Sequence, residues 1–256
     1  MRPRIAALVA ACLLALPSSL LAQSTAEPPD PILEAGRINA RLAMEYLKRE
    51  QLLVAREKVE KALLQNPRDV TVQLAAGLVY ERLLDKKRAE KHFRQALRAD
   101  AESPEAQNAL GAFFCRNRQH ARGEDMFLKA ARNPVYRTPE VAYTNAGVCA
   151  RSAGRLERAE QYLRQALTLT ASYPEAYVQL AGVLHERGNY LQARAFIERY
   201  LAIAPASPDV LLLGYQIEAA MKDSAAAAGF AARLRKEFPE SPQLRALDDL
   251  ERRNRE

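Results

Sequence analysis

Along residues 36–241 the apolar side chains fall three and four positions apart, the spacing that gives a helix one buried face. The arrangement itself recurs with a longer period. Aligning AEKHFRQAL (89–97), ARGEDMFLKA (121–130) and AEQYLRQAL (159–167) fixes the register. A small residue opens the second helical segment of each unit: Ala55, Ala89, Gly123, Ala159, Ala193 and Ala227, at intervals of 34, 34, 36, 34 and 34. Seven residues further on stand Ala62, Ala96, Ala130, Ala166, Tyr200 and Leu234. Between them comes a bulky residue, Val59, Phe93, Phe127, Leu163 or Ile197, weakening to Ala231 in the last unit. First segments repeat too, as Leu42-Ala43-x-x-Tyr46, Ala76-Gly77-x-x-Tyr80, Leu110-Gly111-x-x-Phe114, Ala146-Gly147-x-x-Ala150 and Leu180-Ala181-x-x-Leu184. Units end at or near Pro67, Pro104, Pro134, Pro174, Pro205 and Pro239.

Each residue type has a physical reason. Two antiparallel helices approach closely only where a small side chain meets a large one, hence Gly or Ala opposite Tyr or Phe. Gly154 and Gly188 fall between the helices of their units, where a left-handed residue is useful. Proline cannot continue an interior helix but suits the first turn of the next. A fixed period of this length is the tetratricopeptide pattern. The predicted fold is therefore all-α: a right-handed superhelical solenoid of six tetratricopeptide repeats, starting near residues 36, 70, 104, 140, 174 and 208. Stacked units bury one another's apolar faces, so the ends need caps. Residues 242–256 are expected to form a capping helix and tail, with Leu244, Leu247 and Leu250 on one side. Unit six, with Gly214-Tyr215 out of the usual order and alanines at 225–228, is expected to be the loosest part.

The first residues read differently. A basic start, an apolar run from Ile5 and small residues before Gln23 make residues 1–22 a secretory signal peptide, followed by a tether over 23–35. Two processing readings stand: lipidation of Cys12 within Val9-Ala10-Ala11-Cys12, or ordinary cleavage after Ala22, which fits the apolar length better. The net charge is +7; losing Arg2 and Arg4 leaves 36 basic against 31 acidic residues, or +5. With no basic stripe, this balance favours acidic protein partners and does not point to nucleic acid.

A search for chemistry yields little. His92, His120 and His185 are each isolated, with no second ligand at helical metal-binding spacing, so no metal site or cofactor is expected. Phosphate-binding glycine loops and nucleophile elbows are absent from the sequence, which argues against an enzyme and a small-molecule substrate. Cys115 and Cys149 lie on the first helices of consecutive units. Either they form a disulfide, which needs Cα atoms about 4.4–6.8 Å apart, or they are two small buried apolar residues; export favours the first. The two-residue insertion beside them, in ARNPVYRTPE (131–140), carries Tyr136 between prolines as a candidate loop contact. The concave face of the first helices supplies a candidate partner groove. Met44, Leu47, Leu74 and Leu78 form its apolar strip, and Arg37, Arg41, Lys48 and Arg82 flank it.

Residues 108–167, with GAFFCR, then NPVY in the longer loop, then NAGVCARSAG, are more specific than a repeat consensus. They resemble the type IV pilus biogenesis and stability family known as PilW or PilF, and the similarity continues through YPEAYVQLAGVLHERGNYLQARAFIERYL (173–201). The resemblance implies a six-repeat periplasmic protein at the inner face of the outer membrane. It implies a pilotin, whose partner is the outer-membrane secretin of the type IV pilus and which promotes secretin assembly, multimerisation or localisation. A cysteine pair at the positions of Cys115 and Cys149 also occurs in that family. The chain departs from it in lacking an evident lipobox before a polar start. A monomer is expected. The alternative reading is a general periplasmic repeat scaffold for envelope or cell-wall assembly proteins.

Overall fold

The computed structural model describes residues 30–253, which form helices joined by short turns. The signal peptide, Cys12 and most of the expected tether lie outside the described residues. Thirteen helices run in chain order: α1 (Pro31–Lys48), α2 (Leu52–Gln65), α3 (Val70–Arg82), α4 (Lys86–Ala99), α5 (Pro104–Arg116), α6 (His120–Arg132), α7 (Pro139–Ser152), α8 (Leu156–Leu169), α9 (Pro174–Glu186), α10 (Tyr190–Ile203), α11 (Pro208–Ala220), α12 (Ser224–Glu237) and α13 (Pro242–Arg253). Consecutive pairs make six antiparallel units that stack into a tetratricopeptide-repeat solenoid, with α13 lying on α11 and α12. Among the described residues no helix is long and apolar enough to cross a membrane.

Helix boundaries follow local chemistry. Asp30, Asp69, Asp85, Ser103, Ser207 and Asp223 each accept an amide N–H of the helix they precede, satisfying one of its free donors. Asp30 starts α1 earlier than expected: residues 31–35, assigned to the tether, are the first turn of α1. The turn inside every unit reverses through one left-handed residue: Glu50, Leu84, Arg118, Gly154, Gly188 and Lys222, with φ between 59° and 77°. Only two of the six are glycine, the residue that tolerates this conformation without cost.

Inside each unit, close approach depends on the small-to-large contact. A Cβ placed on Gly77 would lie 2.5 Å from the Phe93 ring; on Gly111, 2.9 Å from Phe127; on Gly147, 2.6 Å from Leu163. Unit six keeps the same contact with both partners moved one residue earlier. Gly214 takes the glycine's place, with a Cβ there 2.5 Å from Phe230. The bulky residue is thus Phe230 and not the Ala231 that the alignment pairs with Phe93. Unit six has its own buried cluster of Leu211, Tyr215, Ala227, Ala231 and Leu234, closed by Leu247 of α13.

Counted from the repeat starts at 36, 70, 104, 140, 174 and 208, the third and seventh positions lie on the face turned to the preceding unit. Val72 and Ala76, Ala106 and Leu110, Ala142 and Ala146, and Ala176 and Leu180 are all buried. In unit one the same positions are Ile38 and Leu42, which are 44% and 41% exposed.

Candidate functional site

The eight predicted groove residues do not form one open strip. Leu47 is only 7% exposed and belongs to the same buried cluster as Ala43 and Val79, because the end of α1 packs against α3. Met44, Leu74 and Leu78 are half-buried against that cluster, so of the expected apolar strip Leu47 is the member taken into the core. The structure brings Leu47, Leu78 and Arg82 together with Leu84, Lys86 and Arg116 around a depression of about 500 Å³. Leu84, 83% exposed at the left-handed turn of unit two, supplies an apolar wall that the repeat pattern does not reveal. A large aliphatic residue at a turn position open to glycine is the signal that could have found it.

None of the flanking cations stands alone. Arg37 Nε donates to Asp69 (2.7 Å), Arg41 to Glu34 (3.2 Å), Lys48 to Glu45 (2.8 Å) and Arg82 to Glu50 (3.4 Å). Burial alone would raise the Asp69 carboxyl. The Arg37 hydrogen bond and the amides of Val72 and Thr71 outweigh it and hold that carboxyl below its ordinary value. The pairs of Arg41, Lys48 and Arg82 are exposed and screened by water, so these cations can be redirected at small cost. Arg116 is fixed more firmly, donating twice to Glu81 at 2.8 and 2.7 Å. The depression combines Leu47, Leu78 and Leu84 with a rim of Arg82, Lys86, Arg116 and one carboxylate, Glu81, and so is net basic.

A second depression, of about 530 Å³, lies between α4 and α6. Leu110 and Phe114 of α5 form its floor, and Arg94 and Arg122 lie over the Phe114 ring with guanidinium carbons 5.9 and 3.8 Å from its centre. Tyr136, expected as a loop contact, is half-buried against Ala130, Ala131 and Ala142, and burial raises its hydroxyl pKa. Val135 beside it is 76% exposed and is the apolar residue the loop presents.

At the longer junction, Cys115 of α5 and Cys149 of α7 are joined as a disulfide, with Cα atoms 5.6 Å apart. His120 opens α6 beside them, its Nδ1 3.7 Å from each sulfur. The isolation of His120 inferred from sequence is therefore corrected: its neighbours come from two other helices. Glu124, one turn along α6, is buried and paired with Arg155 and with Arg158 (2.9 Å), tying unit three to unit four. His92 Nδ1 is hydrogen-bonded to Gln73 Oε1 at 2.8 Å; the ring stacks on Tyr80, and burial lowers its pKa.

Comparison with known proteins agrees with this architecture. Tetratricopeptide-repeat profiles match residues 41–104, 74–137 and 116–174, and a second such profile matches 150–217. The crystal structure of PilW, described as a widely conserved type IV pilus biogenesis factor, is 31% identical. It aligns with 83% of this chain and 97% of its own at a TM-score of 0.76. The type IV pilus assembly protein PilF of Pseudomonas aeruginosa is 23% identical over 213 residues, 81% of this chain and 84% of PilF. The solved structure of Pseudomonas aeruginosa PilF, at 21% identity and a TM-score of 0.71, covers 86% of this chain and 99% of its own and shares the fold. The chain belongs to the tetratricopeptide-repeat family of type IV pilus biogenesis proteins represented by PilW and PilF.

Proposed function

We propose that this protein is a pilotin-like type IV pilus biogenesis factor that binds the outer-membrane secretin and promotes its assembly, multimerisation or localisation. It would act as a non-enzymatic scaffold in the periplasm, at the inner face of the outer membrane. The observation that carries the reading is the similarity to PilW across nearly all of that protein. The depression at Leu47, Leu78 and Leu84 supports the choice of surface, since its rim of Arg82, Lys86 and Arg116 complements an acidic segment. Apolar burial there supplies affinity, roughly 1.5–3 kcal/mol for each fully buried large side chain, while the rim sets orientation and association rate.

The test uses a deletion strain, with secretin multimers followed on gels without boiling and surface pili counted. Deletion should remove the multimers, and the wild-type gene should restore them. A gene carrying Arg82→Glu, Leu84→Glu and Lys86→Glu, all on the solvent side of the depression, should give normal protein levels without multimers. Multimers that survive the deletion would refute the pilotin reading; multimers restored by the triple variant would refute the groove.

A further inference from the structure

We infer that Cys115, His120 and Cys149 form a redox-gated site for a thiolate-binding divalent cation, with Zn²⁺ as the fitting ion once the disulfide is reduced. These three side chains come from α5, α6 and α7, and their ligand atoms all lie within 4.8 Å of one another.

The geometry matches a metal site in a specific way. With Zn–S at about 2.3 Å and Zn–N at about 2.0–2.1 Å, tetrahedral coordination separates sulfur from nitrogen by about 3.6 Å and sulfur from sulfur by about 3.8 Å. His120 Nδ1 already stands 3.7 Å from both sulfurs. Two of the three ligand–ligand edges are therefore in place in the oxidised protein, and only the sulfur–sulfur edge must open. Side-chain rotation can open it, because the backbones remain 5.6 Å apart at Cα and Gly123 has no Cβ to crowd Cys149 Sγ; a Cβ there would be 3.2 Å away.

Arg118, Arg122 and Arg155 line the shallow depression into which His120 opens, and Arg155 and Arg122 are paired with Glu124 and Glu90. Two thiolates, one neutral imidazole and Zn²⁺ sum to zero charge, so the loaded site adds no net charge beside these ion pairs. Three protein ligands leave the fourth position to water or to an anion from the depression.

The conversion balances with a dithiol reductant. Its thiolate attacks one sulfur, its second thiol resolves the mixed disulfide, and the reductant leaves as its own disulfide. Cys115 and Cys149 are then thiols, and each loses its proton when Zn²⁺ binds, so one cation replaces two protons.

The site is independent of the secretin reading and is tested on purified protein spanning residues 30–256. Oxidised and reduced forms are titrated anaerobically with Co²⁺, whose thiolate charge-transfer and tetrahedral ligand-field bands report the ligand set, and Zn²⁺ is used to displace it. Reduced wild type should bind one equivalent with both bands, and the oxidised protein none. His120→Gln, checked for native helicity, should bind more than about tenfold more weakly, since even residues behind metal ligands contribute that much, and its ligand-field bands should change. Failure of reduced wild type to bind Co²⁺, equal binding by the oxidised form, or unchanged affinity and spectra in His120→Gln would overturn the inference.

Discussion

Single residues decide how closely the two helices of a unit approach, and two glycines show the opposite signs this can have. At Gly77 a methyl group would meet the buried Phe93 ring at 2.5 Å, so Gly77→Ala should destabilise the array by about 1–3 kcal/mol through overpacking. Gly229 sits within α12, where an added methyl group would meet nothing within 4 Å, and Gly229→Ala should stabilise the array by about 0.4–1 kcal/mol by restricting the unfolded chain. Urea midpoints of the two variants against wild type would check both signs. Equal effects would mean that helix propensity, and not the contact with Phe93, governs these positions. His120 marks the limit of residue-level reading. Its partners are five residues before it and 29 after it, a spacing with no helical signature, and only the stacking of units three and four unites them.

At the scale of elements, the period and the small-to-large contacts are legible because each unit solves the same packing problem with the same residue types. Unit six escapes that reading for a physical reason. Gly214 and Phe230 are displaced together, which preserves their contact but registers as two losses when columns are compared one at a time. Leu47 is harder to place because a position's exposure depends on how the next first helix crosses it, which periodicity alone does not give. The start of α1 depends on Asp30 accepting the Ile32 amide N–H with Pro31 at the first helical position, a signal outside the repeat. For α13 the amphipathic spacing carries the information: Leu247 is fully buried, and Leu244 and Leu250 pack beside it. Leu247→Ala should cost about 2–5 kcal/mol, read as a lowered melting temperature, whereas Leu244→Ala should cost less. A result in the reverse order would show that α13 packs through a different face.

For the whole molecule, pH acts through groups spread along the array and with one sign. Burial lowers the pKa of His92 and, as its largest cause, also that of His185, both from an ordinary value of 6.5. The folded protein thus keeps them neutral while the unfolded chain takes up protons. Their contribution is complete above about pH 6.5 and is lost as pH falls from there towards the folded values. Carboxyls held low by hydrogen bonds, Glu45 to Lys48 and Asp85 to the Arg88 amide, lose their contribution in a second, more acidic stage. Melting temperature should be flat from about pH 7 to 8 and fall in two stages below. Paired His92→Gln and His185→Gln substitutions should flatten the first stage only; an unaltered slope between about pH 6.5 and 5 would reject the assignment.

The bond between Cys115 and Cys149 also gives the chain a mechanical signature. A pulling force applied at its two ends passes directly from one sulfur to the other, so residues 116–148, including all of α6, never feel the tension. At roughly 3.3–3.6 Å per residue, less the 5.6 Å the bond itself spans, the stretched oxidised chain should be shorter than the reduced one by about 105–115 Å. Under load the array is therefore two tandem springs of nearly equal size riveted at the middle, with a slack loop that only a reductant releases.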